Sequence, residues 1–595
     1  VGKIDSTYKQ EALLLRREAM ASQGATGAMT SDDRLALVDE AMAQRNWTEA
    51  EKLCREVVAQ ATEKKDAKRL ADAKARLGEI LYQVAGAHYT AGEMEKVLTA
   101  ARDALASSPE SETTQNAMAL AVFASLHLFT EAKDQAARET ELKRLDQLAR
   151  FTIEKWPDSP AGDDARMALA QSFLIRGDYP AALALLIEVT PQSKRYPTAM
   201  QVLGQIRWKQ YLDAKKQPNA ADKADEIATF REEAVASLKT SVERQQAGRQ
   251  AGDSISPALF DTQLLLGETY VEADQPAEAA ALLAPLVEEI AKSKPTELTL
   301  KIQRTYVYAV RAQLAAGQAE AAGNAALALA KMSDDAPQPN GLIVDLAKLM
   351  AIEIRRIEAE QTADAAGFQG VSAKAEATAK LREAQGELLD AIVGRKALAV
   401  QQLIFVGDAC VDLGKNQMAR EIYARLLESI DKDPEARKKA GAAVTRVRSR
   451  QVGLLRADGK LDEAYKQVDA LLKAHPNALE PMLEKGYILE AMAERNPKRT
   501  GEAVAHWTDL RLRLQRTKPD EYYEVLYNCA RCLVRQARAA KDKEAALTAE
   551  KMLKSTLVLS PKLSGADMVA KYQALLKAAM ALQGKAITPT GAKKS

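Results

Sequence analysis

The sequence predicts an all-α fold, an α-solenoid or superhelix in which antiparallel helical hairpins stack side by side. Three observations carry that expectation. Ala, Leu, Glu, Lys, Gln and Arg dominate the 595 residues, and these are the strong helix formers. Runs of alternating Val, Ile and Thr that would mark a strand are almost absent. One pattern, an apolar helical face, a turn and a second apolar face, recurs along the chain.

In chain order, Ile4 to Met20 reads as a separate amphipathic helix, within a first segment of residues 1–20. Residues 21–31, rich in Gly, Ala and Ser, read as a flexible link. That first helix is expected to dock back on the array or on another molecule. Residues 32–360 read as an N-terminal array of hairpins. Its clearest unit contains Arg176-Gly177-Asp178, a tripeptide that some cell-surface receptors read. Upstream, Ala165, Leu169 and Phe173 lie four apart on one helical face. Gly177 supplies a left-handed C-terminal residue, Asp178 an N-cap, and Pro180 a first-turn residue whose missing N–H costs nothing. Ala182, Leu186 and Val189 then form a second apolar face, and Pro191 stops it. Every residue of the tripeptide has a local structural task, so it is read as a turn.

The same pattern returns at Leu266-Gly267, Tyr270, a turn over Asp274 to Pro276, then Ala279, Leu283 and Leu286. It returns at Val406-Gly407, Cys410, Gly414, then Ala419, Tyr423 and Leu426. It returns again at Leu455, Gly459, then Ala464, Val468, Leu471 and Pro476. Two helices sharing one seam bury too little apolar surface to offset their ordering, so neighbouring units must supply the rest. These residues resemble the tetratricopeptide repeat, and Glu154 to Leu186 resembles units common in bacterial envelope-assembly proteins. Several units depart from the repeat's usual length, so an irregular array is expected.

Polar stretches at 212–233 and 361–380 lengthen the inter-unit connections and read as loops with extra helix. The second is the expected insertion or linker between the first array and a C-terminal array over 381–583. Residues 584–595 read as a disordered tail.

The charge balance, 84 Lys plus Arg against 82 Asp plus Glu, argues against nucleic acid. No apolar run is long enough to span a bilayer. Four cysteines exclude a disulfide framework. No phosphate-binding Gly loop, zinc-protease motif or nucleophile elbow occurs. The four histidines fall in different units. Cys529 and Cys532 form the one tempting pair, but they sit in an expected helix with no second pair. Three-residue spacing puts them on its packing face. Asn46-Trp47-Thr48 fits a glycosylation sequon and, better, a turn followed by a capped helix. No catalytic residue, metal or cofactor is expected.

The tetratricopeptide resemblance implies a groove lined by the first helix of each unit, which takes extended peptides or partner helices. The position two after the unit's Leu should face it, and holds Gln171, Gln205, Glu268 and Asp408, with Arg311 and Arg531 by weaker alignment. Trp208 is the expected aromatic anchor. No Asn falls at these positions, so the family's carboxylate clamp is not expected. Charge alternates along the implied groove, acidic at Glu268 and Asp408, basic at Arg304, Arg311, Arg531 and Arg535. The expected function is a non-enzymatic scaffold that binds proteins or peptide segments, in an envelope-associated assembly. A self-assembling structural subunit and the helical accessory part of an enzyme are the competing readings. Val1 is compatible with a removed leader or with a fragment that begins there. With the envelope-type repeat, it tilts the expected compartment toward the periplasm or cell envelope over the cytoplasm.

Overall fold

The computed structural model describes residues 15, 30–247, 249–250, 253–293, 295, 297–332, 340–363, 371–395, 398–432, 441–515, 519–563 and 566–584. Apart from Leu15, Thr30, Ser31 and Gly584, the expected N-terminal helix, link and tail lie outside them, as do 364–370 of the expected insertion. Among the described residues the fold is all helical, with no strand. The chain divides into two compact units, Val1–Asp274 and Gln275–Ser595.

The first unit contains α1 (Ser31–Ala43), α2 (Trp47–Glu63), α3 (Ala67–Thr90), α4 (Met94–Ser107), α5 (Glu112–Glu131), α6 (Gln135–Lys155), α7 (Pro160–Ile175), α8 (Tyr179–Ile187), α9 (Tyr196–Lys215), α10 (Ala224–Gln246) and α11 (Pro257–Glu272). Each helix packs on the next. In alternation the odd-numbered helices also meet, α1 with α3, α3 with α5, α5 with α7 and α9 with α11. Contact with the next helix and the next but one is the arrangement of stacked hairpins.

The second unit contains α12 (Pro276–Ser293), α13 (Leu300–Ala315), α14 (Ala319–Met332), α15 (Asn340–Ala363), α16 (Val371–Val393), α17 (Val400–Asp412), α18 (Asn416–Lys432), α19 (Gly441–Ala457), α20 (Leu461–Ala474), α21 (Leu479–Arg495), α22 (Thr500–Leu514), α23 (Pro519–Ala540), α24 (Lys543–Leu559) and α25 (Ala566–Ala581). Odd helices again meet, α13 with α15, α15 with α17, α19 with α21 and α23 with α25. Both polar stretches expected as loops with extra helix do contribute helix: Leu212 to Lys215 ends α9, a short 3-10 turn covers Ala220–Lys223, residues from Ala224 on open α10, and 371–380 opens α16.

One turn recurs eight times among the described residues. A helix ends, one residue takes positive φ, and the next accompanies or caps the following helix. The positive-φ residues are Arg45, Lys65, Gly92, Gly177, Gly317, Gly414, Gly459 and Lys541, with φ between 53° and 77°. At each, the following N–H donates to the carbonyl five residues back at 2.8–3.1 Å, as Asp178 N does to Phe173 O. This is the Schellman closure, which satisfies carbonyls a helix end would leave orphaned. Asp178 then accepts from Ala181 N, so Gly177-Asp178 is the turn that the sequence predicts. Arg176 lies over the Phe173 ring at 4.4 Å. Asn46 likewise caps α2 through Glu49 N.

Small residues set how closely the helices of a hairpin approach. Ala182, Ala419, Ala464 and Ala549 are fully buried at the crossings. A β-carbon on Gly407 would lie 2.3 Å from the Tyr423 ring of the paired helix. The core is therefore a series of local clusters. One joins Leu37, Leu53, Leu77 and Ala101; another joins Trp507, Leu526, Leu553 and Tyr572.

Candidate functional site

In the second unit, successive first helices α15, α17 and α19, with α16 behind, enclose an open cleft of about 570 Å³. Ala351 and Ile354 of α15 and Ile404, Phe405 and Ala409 of α17 form its apolar part. The helical period places Lys348, Ala351 and Arg355 on one face of α15, and Gln401, Phe405, Asp408 and Asp412 on one face of α17. Lys348 lies over the Phe405 ring at 5.7 Å and also pairs with Asp345 at 2.9 Å.

Asp408 is the electrostatic hub of the cleft. It accepts from the Tyr423 hydroxyl at 2.6 Å and from Arg446 at 2.5 Å, and Arg450 stands 3.8 Å away. Burial, reinforced by the adjacent carboxylate, raises the Tyr423 phenol pKa and keeps it a donor. Glu358 is paired with Arg382. Arg355 and Asp412 are exposed on the rim, and neither makes an ion pair among the described residues. The arrangement offers an apolar floor between one free cation and one free carboxylate.

Of the residues expected to meet a partner, only Asp408 lines this cleft. Gln171 and Gln205 are exposed in the first unit, and Arg304 is exposed in the second. Trp208 is 7% exposed. Its ring stacks on Tyr211 at 4.8 Å, beside Ala234, because the α9 face that carries it packs onto α10. Its place is thus inside the hairpin, not at an open surface. Glu268 is buried too, at 3% exposure. Arg311 is half-buried over the Tyr308 ring at 5.3 Å. Arg531 donates to Glu490 and Arg535 to Glu494, at 2.7 and 2.8 Å. Lys348, Arg355, Phe405 and Arg446 were missed. The seven-residue spacing from Lys348 to Arg355 and the four- and three-residue spacings from Gln401 to Phe405 to Asp408 were the available signals.

The charges at Arg531 and Arg535 belong to a wider pattern. Ion pairs repeatedly bridge a helix and the next but one. In the first unit these include Asp32 with Arg69 and Asp39 with Arg76, both at 2.8 Å, Asp103 with Arg55 at 2.6 Å, and Glu95 with Arg144 at 2.7 Å. In the second they include Asp408 with Arg446 and Arg456 with Glu484, both at 2.5 Å. Much of the alternating charge in the sequence is thus used between neighbouring units.

All four cysteines are free and buried. Burial pushes the Cys54 thiol up to about 11 and the Cys410 thiol up to about 12, and raises Cys529 and Cys532 as well. Cys529 and Cys532 are each 1% exposed, within the cluster that holds Trp507. Their expected place on the packing face is where they lie. Among the described residues no group of three His, Cys, Asp or Glu is arranged to hold a metal ion, and no helix is long and apolar enough to cross a membrane.

No protein-family model matches the chain, and no curated protein matches it. Among solved structures, the crystal structure of the APC/C hetero-tetramer Cut9-Hcn1 aligns over 93% of this chain and 97% of its own, at 12% sequence identity and a TM-score of 0.24.

Proposed function

We propose that this chain is a non-enzymatic scaffold that holds partner proteins or peptide segments, and that the cleft between α15 and α17 is one place of contact. The observation that carries the reading is the cleft's composition: an apolar floor at Ile354, Ile404 and Phe405, between Arg355 and Asp412, which make no ion pair among the described residues. Unpaired charges at a wet rim select orientation and speed encounter, while a desolvated apolar centre holds the partner. The exposed Gln171, Gln205 and Arg304 are proposed as additional contacts. The envelope setting is supported by the resemblance of Glu154 to Leu186 to envelope-assembly repeats.

Affinity capture from native extract tests this. The full chain and its Phe405→Asp and Arg355→Glu variants are compared, with what co-purifies identified by mass spectrometry. A protein retained by the parent and lost from both variants is expected. An identical set from all three would overturn the assignment of the cleft.

A further inference from the structure

The last turn of α24 carries the two most exposed large apolar side chains among the described residues, Val558 at 74% and Leu559 at 82%. They do not stand on a frayed end. Leu553 and Thr556 bury the opposite face of the same turns, and Leu563, just beyond, packs on the cluster that holds Trp507. The Ser560 N–H closes the helix on Thr556 O at 2.8 Å, and the Tyr523 hydroxyl of α23 donates to Ser560 Oγ, also at 2.8 Å. The fold therefore fixes an apolar corner in water. The charge around it has one sign. No Asp or Glu occurs from Lys551 to Leu563, and every exposed residue there is Lys, Ser, Pro or one of the two apolar side chains. Leu547, Lys551, Lys554 and Val558 follow at steps of four, three and four residues, which sets them on one exposed face of α24. Lys551 and Lys562 make no ion pair among the described residues, and Lys554, 61% exposed, approaches only Glu550, at 3.5 Å. The two carboxylates of the helix lie elsewhere: Glu544 is in the first turn and Glu550 is buried.

We propose that this corner of the second unit docks on an anionic lipid surface. Val558 and Leu559 enter the boundary between headgroups and acyl chains, and Lys551, Lys554 and Lys562 meet the headgroup phosphates. Charge complementarity selects that occupant. Cations of one sign, with no exposed carboxylate among them, match a surface of uniform negative charge. The long Lys stems let the ammonium groups stay at headgroup level while the shorter apolar side chains go deeper. Nucleic acid would use the cations but leave Val558 and Leu559 in water, so it answers only half of the surface. Helix α24 would lie in the plane of the interface, as amphipathic helices of this charge do, and would not cross it. From Leu547 to Val558 the face runs about 16 Å at 1.5 Å per residue, enough for three turns to meet the surface together. No residue of the α15–α17 cleft belongs to this face, so the inference stands or falls separately from the proposed scaffold role.

Co-sedimentation of the full chain with vesicles tests it. Vesicles of mixed phosphatidylglycerol and phosphatidylcholine should retain the chain, and vesicles of phosphatidylcholine alone at least about tenfold less. Combining Lys551→Glu, Lys554→Glu and Lys562→Glu should cut retention at least about tenfold. Combining Lys64→Glu, Lys68→Glu and Lys239→Glu, all exposed in the first unit, makes the same change in net charge and should leave retention intact. Val558→Asp with Leu559→Asp should release the chain with helicity unchanged by circular dichroism. A bimane probe on Val558→Cys labels that site alone, because the four native thiols are buried. Its emission should shift to the blue only when the mixed vesicles are added. Failure of the mixed vesicles to retain the parent overturns the proposal. So does an equal loss in the first-unit variant, which would reduce the effect to net charge, and so does retention indifferent to Val558→Asp with Leu559→Asp. A probe already blue-shifted without vesicles would show the corner covered by protein, within the chain or from a second copy, and also overturns it.

Discussion

Gly486 of α21 lies directly under the Trp507 indole of α22, so close that a β-carbon there would come within 2.3 Å of the ring. Trp507 is fully buried and cannot move aside without opening the cluster around Leu526 and Tyr572. Gly486→Ala is therefore expected to destabilise the second unit by about 1–3 kcal/mol, the usual cost of overpacking. Urea unfolding followed by tryptophan fluorescence reads this directly.

Trp507 is also held by its polar edge. Its Nε1–H donates to Glu490 at 2.8 Å, and the other Glu490 oxygen accepts from Arg531 at 2.7 Å. Glu490 is only 5% exposed, so its removal strands a buried indole N–H and a half-buried guanidinium. Glu490→Ala should cost about 1.5–3 kcal/mol. Glu490→Gln should recover part of this by keeping an acceptor for Trp507. Equal losses in the two variants would show that the hydrogen bond contributes nothing.

The recurring turn makes opposite predictions at different positions. Gly177 has φ +77°, and Gly177→Ala should destabilise by about 1 kcal/mol because a β-carbon is strained there. Lys541 adopts the same geometry with a side chain, at φ 53°. Lys541→Gly should therefore be neutral or stabilising by up to about 1 kcal/mol, the strain relief being partly offset by the freedom glycine gains when unfolded. Thermal melts of both variants decide it.

His506 gives the fold an acid sensitivity. Burial lowers its pKa below 6.5; a bond from its Nε2 to Met482 O at 2.7 Å opposes the shift, as does nearby Asp509, while Lys485 and Arg513 reinforce it. As pH falls below 6.5 the unfolded chain takes up a proton that the folded chain refuses, so stability drops on acidification. His506→Gln, which can still donate to Met482 O, should flatten the stability–pH profile between pH 6.5 and the lowered folded value. An unchanged profile would place the sensitivity elsewhere.

The hairpins were legible because their signals are local. At Gly177-Asp178-Tyr179-Pro180 the left-handed glycine, the cap and the first-turn proline fall within four residues, and each acts where it was expected to. Lys65 and Lys541 take the same backbone conformation without its usual residue, so neither was read as a turn. The candidate cleft was legible only at Asp408. Beyond its neighbours on α17, its members come from α15, α16 and α19, and which helix faces compose one surface depends on how far each hairpin rotates on its neighbour, which short-range periodicity does not encode. Trp208 shows the same limit. Repeat position places it beside Gln205 in sequence, but one further turn carries it from an exposed face into the contact with α10.

The bridges across the seams also constrain the order in which the hairpins can occur. Helix α21 meets both neighbouring first helices with carboxylates: Glu484 toward Arg456 on α19, and Glu490 and Glu494 toward Arg531 and Arg535 on α23. Excising α20 and α21 as a tidy pair would bring an arginine edge against another arginine edge. The chain can therefore tolerate many point changes on its surface and yet resist gene-level shortening here, since the loss of one module leaves its former neighbours mutually repellent.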